Sequence, residues 1–479
     1  MTEQVKKKDW VFIIGILVLS VGMQFANYGN AICMSGDVTR LNAMQYYVLI
    51  SALGTLGMML VLPIIGQLTA ILGMRLLIII GVLIQMLGRL IMMFSGSWVV
   101  YAIGVLVQAI GGGCYISSAY VNMASAVDRS EAAKFFGYIA VANSIGALVG
   151  PLVVSFLYSA GGILTKLALV SYLPFIIIGL IMIYKHCPCE RTSKSGATFD
   201  YLGLILTVVG VGCLVIWLNL AGKSFTWFSL PSLLMAVLSV GSLVWMIRRE
   251  STISNPAVPV LMFKNSRLTY AFIGALVLAA FATCSGSYCV MWIRMNYQSL
   301  PGATLFNGTA TLAQNIVIFI LGLFLGAYIG KKFAKRFRGF GIAAMVACML
   351  ATAILYCLKF TGTAAEDNVK LIGSSFPLGM LLIYVATAIG GFASTISQST
   401  FSAYWQSNTP KEEIASGQAL YNFGATGGSC IFGAVVGVVL GNSVDYSKAF
   451  ATGFVFALIG LICAIIGFKF TKEEIESCK

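Results

Sequence analysis

The chain contains about fourteen apolar stretches, each long enough to cross a lipid bilayer as a helix, which takes about 20 residues. The stretches cover residues 10–33, 46–68, 76–94, 98–122, 135–157, 167–184, 201–220, 228–246, 268–292, 305–328, 340–358, 376–396, 414–440 and 449–468. Because lipid offers a peptide backbone no hydrogen-bond partners, segments of this length cross a membrane as helices. We therefore predict an all-α integral membrane fold with about 14 transmembrane helices.

The scarcity of charged residues agrees with a membrane protein. Asp, Glu, Lys and Arg make up 10% of the chain, whereas soluble domains usually carry about 25%. The formal net charge of +14 comes from basic residues in the gaps between the stretches. These gaps lack the interleaved aromatic residues of a nucleic-acid groove. We expect the lipid bilayer, and no nucleic acid, as a partner.

The basic residues also predict how the chain is threaded. With a cytoplasmic N-terminus, 22 Lys and Arg fall in the inner segments and 7 in the outer ones, while Arg89 lies within a stretch. Inner loops of membrane proteins carry this excess of positive charge. The asymmetry predicts that both termini are cytoplasmic, and we expect a bacterial cytoplasmic (plasma) membrane.

No cluster of residues in the sequence indicates a metal, a cofactor or a catalytic centre. His186-Cys187-Pro188-Cys189 offers three soft ligands but lacks the second cluster of paired metal-ligand spacings. Most of the 12 cysteines lie in apolar stretches, where a thiol behaves as a small apolar side chain. Gly222-Lys223-Ser224 resembles the end of a phosphate-binding loop, yet Trp217 occupies the place of its first glycine. We predict that the protein is not an enzyme and has no cofactor or metal.

Short glycine motifs follow the second stretch and lie in the fourth and fifth. In chain order, the motif positions are Gly66, Leu68, Gly73, Arg75, Gln108, Gly111, Gly146, Gly150 and Pro151. The spacing of Gly146 and Gly150 lets two helix backbones touch. Pro151 removes one backbone donor and bends a helix. The sequence therefore predicts a flexible joint in the fifth stretch.

Through these motifs the chain resembles the major facilitator superfamily, and within it the fourteen-span drug:proton antiporter family. The resemblance covers nearly the whole chain. It implies a major facilitator type fold with two six-helix bundles plus two inserted helices. The N-terminal bundle would cover residues 1–184, a linker with the inserted helices 185–266, and the C-terminal bundle 267–479. The conformational-switch motifs would contain Gly66, Gly73, Arg75, Gly146, Gly150 and Pro151.

The chain departs from the family at the positions of gating and coupling. Ala70 stands where the superfamily has an aspartate that steadies one conformation, and Val105 where the family has an arginine linked to proton coupling. None of the 16 carboxylates lies inside a stretch, although proton-coupled transporters usually titrate a buried carboxylate or histidine. Asp37, beyond the first stretch, is the nearest outer candidate for a coupling group.

Polar side chains within the stretches are the candidates for solute binding, since a polar group in hydrocarbon usually faces a cavity or a partner helix. They are Gln24, Asn27, Asn30, Arg89, Gln108, Asn143, Tyr288, Gln314, Asn315, Gln418 and Asn422. Each uncharged one has a simpler use, in a hydrogen bond between helices. Arg89 is a counter-charge for an anion, a coupling element, or a side chain that snorkels to the interface.

We predict a secondary transporter that moves a small amphipathic organic solute across the membrane by alternating access, as a monomer. The resemblance implies drug or multidrug efflux. The missing coupling groups favour an alternative, an organic-anion or metabolite uniporter or exchanger without ordinary proton antiport. A sensor or scaffold with a transporter fold and no flux is a third interpretation, from a different class of protein.

Labelling of single cysteines tests the predicted threading. In a variant without native cysteines, a cysteine in place of Lys331 should react with a membrane-impermeant maleimide only from the cytoplasmic side. A cysteine in place of Glu366 should react only from the outer side, because the basic asymmetry puts these gaps on opposite faces. Reaction of both positions from one side would overturn the fourteen-span arrangement.

Overall fold

The computed structural model describes the chain over residues 9–43, 46–127, 132–186, 200–222, 225–253, 256, 258–297, 309, 312–328, 337–361, 368–371, 374–396, 401, 405, 408–409, 414–440 and 445–469. The first α-helices are α1 (Trp10–Arg40), α2 (Tyr47–Val61), α3 (Ile65–Leu72), α4 (Met74–Met93), α5 (Trp98–Ala126), α6 (Ala132–Ser159), α7 (Ile163–Ala168) and α8 (Leu173–His186). They are followed by α9 (Tyr201–Leu220), α10 (Leu230–Glu250), α11 (Ser266–Thr283), α12 (Cys289–Tyr297), α13 (Leu312–Tyr328), α14 (Phe337–Tyr356), α15 (Leu378–Ile396), α16 (Ile414–Leu440) and α17 (Ser447–Lys469).

These helices form the all-α membrane fold that the sequence predicts. Among the described residues, twelve helices are long and apolar enough to cross a membrane. Two shorter apolar helices, Leu53–Thr69 and Leu312–Leu323, lie in the second and tenth predicted stretches. Each predicted stretch therefore contains an apolar helix, and the prediction of an all-α integral membrane protein with about fourteen spans is confirmed.

Some of the spans are interrupted. Pro63 lies in a 3-10 turn, Leu62–Ile64, between α2 and α3, because proline cannot donate the helical hydrogen bond. The ninth span runs from α11 through a π-helical turn, Cys284–Tyr288, into α12. Turns of this kind occur frequently at functional sites. The sixth span is divided between α7 and α8.

A short β-hairpin lies between α14 and α15. Strand β1 (Asn368–Leu371) pairs antiparallel with β2 (Ser374–Pro377), with Asn368 opposite Pro377. The hairpin occupies the gap between the eleventh and twelfth spans, where water can hydrate the outer edges of the strands. It adds to the helical membrane fold without changing it.

The buried apolar side chains form two large clusters that follow the order of the chain. One is built mainly from α1, α4, α5, α6 and α8. The other is built mainly from α11, α12 and α14 to α17. This division supports the predicted bundles at residues 1–184 and 267–479, whose boundaries stay a prediction.

The inserted helices α9 and α10 pack against each other, and α9 also contacts both clusters of spans. Val211 and Val215 of α9 are buried with Leu56 and Met59 of α2 and with Cys430 of α16. Since α2 and α16 also touch each other, α9 covers the line along which the two halves meet.

A buried set of charges joins the ends of the two inserted helices. The Asp200 carboxylate caps α9 by accepting from the Gly203 N–H at 3.0 Å, and it pairs with the Arg249 guanidinium at 2.7 Å. Arg249 also lies 3.4 Å from Glu250, whose side chain is fully buried. The hydrogen bond from Arg249 holds the pKa of Asp200 at about 2, below its ordinary value.

This charged set is tied to the gap motif after the second span. The Asp200 N–H donates to Gln67 Oε1 of α3 at 3.4 Å. Gln67 belongs to the same motif in which Ala70 replaces the family's aspartate. A carboxylate from the inserted segment is therefore held beside the motif that lacks its own.

Replacing Arg249 by Gln should destabilise the protein. Glu250 would stay buried without its counter-charge, and breaking a buried pair from one side costs about 3–5 kcal/mol. Since Arg249 is 26% exposed, solvent reduces the loss, and we expect about 2 kcal/mol, measured as a lower Tm of the purified protein.

The control is Arg248→Gln at the exposed neighbouring position, which should leave the Tm nearly unchanged. Because folding lowers the pKa of Asp200, its pairing stabilises the protein above the ordinary carboxyl pKa and is lost as the pH falls toward about 2. The difference between Arg249→Gln and the unaltered protein should therefore shrink in acid. Equal melting temperatures at neutral pH would contradict this role.

Candidate functional site

The fifth span, α6, approaches the first span, α1, at two glycines. A Cβ on Gly146 would lie 2.8 Å from the Phe25 nitrogen, and one on Gly150 would lie 2.6 Å from the Phe25 carbonyl oxygen. Both distances are shorter than real Cβ contacts, so only glycine allows the two backbones to come this near. Helices in lipid associate through small residues of this kind. Pro151 follows the contact within α6.

A second close approach joins the third span, α4, to the fourth span, α5. A Cβ on Gly88 would lie 2.7 Å from the Gln108 Cα, and one on Gly111 would lie 2.8 Å from the Gln85 Cα. The backbones of α4 and α5 therefore touch beside two buried or half-buried amide side chains. The contact brings polar groups of both helices into the interior of the N-terminal half.

A small cavity opens between α1, α2, α5 and α6. Its lining residues are Ser20, Met23, Gln24, Asn27, Met58, Gly112, Tyr115, Ile116, Ala119, Tyr120, Ile139 and Asn143. Three of the predicted candidates, Gln24, Asn27 and Asn143, are among them. Amide and hydroxyl groups thus share the lining with thioether and aliphatic groups, and no lining residue is charged.

Sequence reasoning missed several polar groups at this cavity. The hydroxyls of Ser20 and Tyr115 form a hydrogen bond of 2.8 Å, and Gln85 Nε2 donates to Asn27 Oδ1 at 3.5 Å. Ser20 precedes Gln24 by one helical turn, so the spacing that relates Gln24 to Asn27 could have identified it. Gln85 lies within the third predicted stretch, so the criterion that selected Gln108 would also have selected Gln85.

The candidates of the C-terminal half lie away from this lining. They are Tyr288, Gln314, Asn315, Gln418 and Asn422. Gln314 Nε2 donates to Ser394 Oγ at 3.3 Å, and Gln418 Nε2 donates to Asn422 Oδ1 at 3.3 Å. Asn315 is buried in α13, and Tyr288 ends the π-helical turn. Gln314 thus bonds between two helices, α13 and α15, whereas the bond from Gln418 to Asn422 lies within α16.

Arg89 is buried inside the N-terminal half. Its side chain is 1% exposed, and its Cζ lies 5.0 Å from the centre of the Tyr172 ring. This burial favours a role inside the bundle over a side chain that snorkels along its outer surface. Asn30 and Gln108 lie in the same half, and each has a buried side-chain oxygen without a hydrogen-bond partner among the described residues.

The two halves touch at the end of the bundle where α1 begins. Gly66 packs so closely against Ser416 that a Cβ would overlap the serine side chain. Asn422 Nδ2 of α16 donates to Ser117 Oγ of α5 at 3.0 Å. This packing closes the halves against each other at that end.

The other residues of the first switch motif shape the turn between α3 and α4. Gly73 has φ 79°, a conformation that favours glycine, and it ends α3 and begins α4. The Arg75 Cζ lies 4.4 Å from the centre of the Tyr184 ring at the end of α8. The motif therefore connects the second, third and sixth spans at the closed end.

The family model of the Major Facilitator Superfamily matches residues 12–429. The chain belongs to this superfamily. It is therefore a membrane transporter of the secondary type and an integral membrane protein. Its departures at Ala70 and Val105 are variations within this superfamily.

Relatives of this facilitator include bacterial drug transporters. Multidrug transporter protein MdtP of Bacillus subtilis (strain 168) is 24% identical over 84% of this chain and 72% of its own length. Multidrug efflux pump SdrM of Staphylococcus aureus (strain N315) is 23% identical over 92% of both chains. Fungal transporters are matched over 45% to 65% of their own length.

A solved structure has the same fold. The crystal structure of the human organic anion transporter MFSD10 (TETRAN) matches with a TM-score of 0.60 and 12% identity, over 95% of this chain and 98% of that one. At this identity the likeness shows the fold alone.

Replacing Gly150 by Leu should abolish transport while the protein still reaches the membrane. The new side chain would push α6 away from α1, since its Cβ alone would lie 2.6 Å from the Phe25 carbonyl oxygen. Flux into liposomes that contain the purified variant measures the effect. Gly241→Leu is the matched control, because nothing lies within 4 Å of a Cβ at that position of α10. Normal flux in Gly150→Leu would show that the close approach is not needed.

Proposed function

We propose that this facilitator moves a small amphipathic organic solute, neutral or anionic, which binds in the cavity of the N-terminal half. The observation that carries the proposal is the lining. Three amides and two tyrosines face the same space as two methionines and two isoleucines, and no lining residue is charged.

The polar and apolar groups have separate uses in recognition. The amides of Gln24, Asn27 and Asn143 both donate and accept hydrogen bonds, so they suit carbonyl, hydroxyl and ether groups. Met23 and Met58 are flexible and polarisable, so they adapt to apolar parts of different shape. A site of this kind binds a class of amphipathic molecules and not a single shape.

A positive charge lies one helical turn from a residue that contacts the lining. Gln85 donates to Asn27 of the lining, and Arg89 follows Gln85 by one helical turn on the same face of α4. In a low dielectric a buried positive charge acts strongly on an approaching ion. We therefore expect anions and neutral solutes to enter the cavity more readily than lipophilic dications.

Efflux is the direction that we propose. The full names of MdtP and SdrM describe a multidrug transporter and a multidrug efflux pump. With both termini cytoplasmic, as the basic asymmetry predicts, the closed end of the bundle faces the cytoplasm. The arrangement would then be an outward-facing one, from which an exporter releases its solute. We propose that the protein works as a monomer in a bacterial cytoplasmic membrane.

An organic-anion or metabolite uniporter or exchanger is the second candidate. It is favoured by the uncharged lining and by Val105, which replaces the arginine linked to coupling. The two candidates differ in coupling, because only proton antiport moves protons against the solute and so changes the pH of the vesicle lumen. A pH-sensitive dye inside the liposomes separates them. Absence of any flux would favour the sensor or scaffold.

Asn143→Leu should raise the KM for solute at least about tenfold, because it removes the hydrogen bonds of one lining amide and leaves its solute partner unpaired. Transport of a fluorescent amphipathic substrate by the purified protein measures the change. Gln314→Leu is the matched control, since Gln314 bonds to Ser394 outside the cavity.

The same assay tests the preference for charge. Organic anions and neutral amphiphiles should compete with the substrate, and lipophilic dications should not. Efficient transport of a dicationic drug would contradict the proposed preference. Equal effects of Asn143→Leu and Gln314→Leu would contradict the proposed site.

A further inference from the structure

Arg89 carries a positive charge that the described side chains do not compensate. It is 1% exposed, and its Nε and Nη2 atoms have no hydrogen-bond partner among the residues that the structure describes. No described carboxylate forms an ion pair with it. An arginine does not lose its proton in a protein, and burying a charge is costly unless the charge is paired. The guanidinium therefore requires a negatively charged partner.

Two tyrosines beside Arg89 also lack side-chain hydrogen-bond partners within the described part of the chain. Tyr172 holds its ring 5.0 Å from the Arg89 Cζ, and Tyr101 lies within the electrostatic reach of the guanidinium. The hydroxyls of both tyrosines are buried without a hydrogen-bond partner among the described residues. Two N–H groups and two O–H groups are thus available as donors in one part of the N-terminal half.

Buried polar atoms without a hydrogen-bond partner are concentrated in one region of the described structure. Of ten buried side-chain atoms without a partner, eight belong to Asn30, Asp37, Gln85, Arg89, Tyr101, Gln108 and Tyr172. The remaining two, on Ser239 and Trp405, lie in other parts of the fold. Buried polar groups in native proteins almost always have a partner. Such a concentration indicates a place that binds something polar.

Asp37 is the nearest alternative as a counter-charge. It pairs with Arg40 at 3.4 Å, at the end of α1 remote from the closed end. The charges of Asp37 and Arg89 both act on Cys33 and Tyr101. Asp37 Oδ1 pairs with Arg40, and Oδ2 has no hydrogen-bond partner among the described residues. Because no ion pair joins Asp37 to Arg89 in the described structure, the charge of Arg89 is open to a different partner.

We propose that a small monovalent anion binds beside Arg89, between Tyr101 and Tyr172. A negative acceptor beside Arg89 would accept from its two free N–H groups and neutralise the guanidinium, and the hydroxyls of Tyr101 and Tyr172 are further donors in the same part of the fold. A halide has this chemistry, and so does the carboxylate of a transported solute. The site is separate from the cavity lining, and binding there does not depend on the proposed solute.

The anion site is connected to the cavity through one amide. Gln85 lies one helical turn before Arg89, and it donates to Asn27 in the lining at 3.5 Å. Filling one site therefore changes the other, and the effect is reciprocal because coupling free energies are. This connection alone rests on the proposed function.

Thermal unfolding of the purified protein tests the site without any transport. Sodium gluconate is replaced stepwise by sodium chloride, bromide or nitrate at constant ionic strength. A ligand that binds only the folded state raises the Tm in a saturable way. We expect such a rise for the unaltered protein. A parallel series with acetate or a carboxylate-bearing solute shows whether the bound anion is a halide or the carboxylate of a solute. The absence of a rise with every anion would overturn the proposal.

Single substitutions test whether the anion-dependent rise in Tm comes from binding beside Arg89. Arg89→Gln should abolish the anion-dependent rise, whereas Arg248→Gln, which removes an exposed charge, should keep it. Tyr172→Phe keeps the ring and should weaken apparent anion affinity about tenfold, since one hydrogen bond to an ion is lost. It also provides a test if Arg89→Gln does not fold. An unchanged response in Tyr172→Phe and Arg89→Gln would place the anion elsewhere and overturn the site.

Asp37→Asn tests whether Asp37, and not a bound anion, compensates the charge of Arg89. If an anion compensates Arg89, this variant keeps the anion-dependent rise. If Asp37 compensates it, the variant loses Tm as Arg89→Gln does, and the unaltered protein does not respond to anions. That second result would overturn the proposed anion site. The proposed function would still stand or fall on a different measurement, the flux of the amphipathic solute.

Discussion

The contact of α1 with α6 at Gly146 and Gly150 determines where a cavity can form in this facilitator. In lipid, apolar side chains gain little by leaving the solvent, so helices associate where small residues let their backbones touch. Gly146 and Gly150 fix that place against Phe25. Asn143, one turn earlier on α6, then faces Gln24 of α1 across the open space, and the remaining lining follows from the positions of α2 and α5.

Hydropathy predicted the fold because a span is a local property, set by about 20 consecutive residues. The glycine spacing predicted the contact of α6 for the same reason. The candidate site was predicted in part, since Gln24, Asn27 and Asn143 line the cavity, whereas Gln418 and Asn422 bond to each other. A polar residue in a span needs some partner, but which one it finds depends on the packing of helices far apart in sequence. The bond from Gln85 to Asn27 and the burial of Arg89 could not be predicted for that reason.

The inserted helices are fastened to the rest of the protein by charge at one end and by apolar contacts along their length. Asp200 joins Arg249 to Gln67, while Val211 and Val215 pack at the line where α2 meets α16. The usual aspartate of the gap motif is absent, and a carboxylate from the insertion stands beside that motif instead. Two additional spans are thus integrated into the packing that joins the halves.

The cavity lining comes entirely from the N-terminal half, and this has a consequence for the transport cycle. If a solute binds there, it stays with one bundle while the other moves past it, so its immediate contacts are nearly the same in both orientations. A ligand with equal affinity for two states does not shift their balance. The site would then set which molecules are carried, whereas the direction of net movement would depend on concentrations and on whatever else binds as the bundles exchange positions.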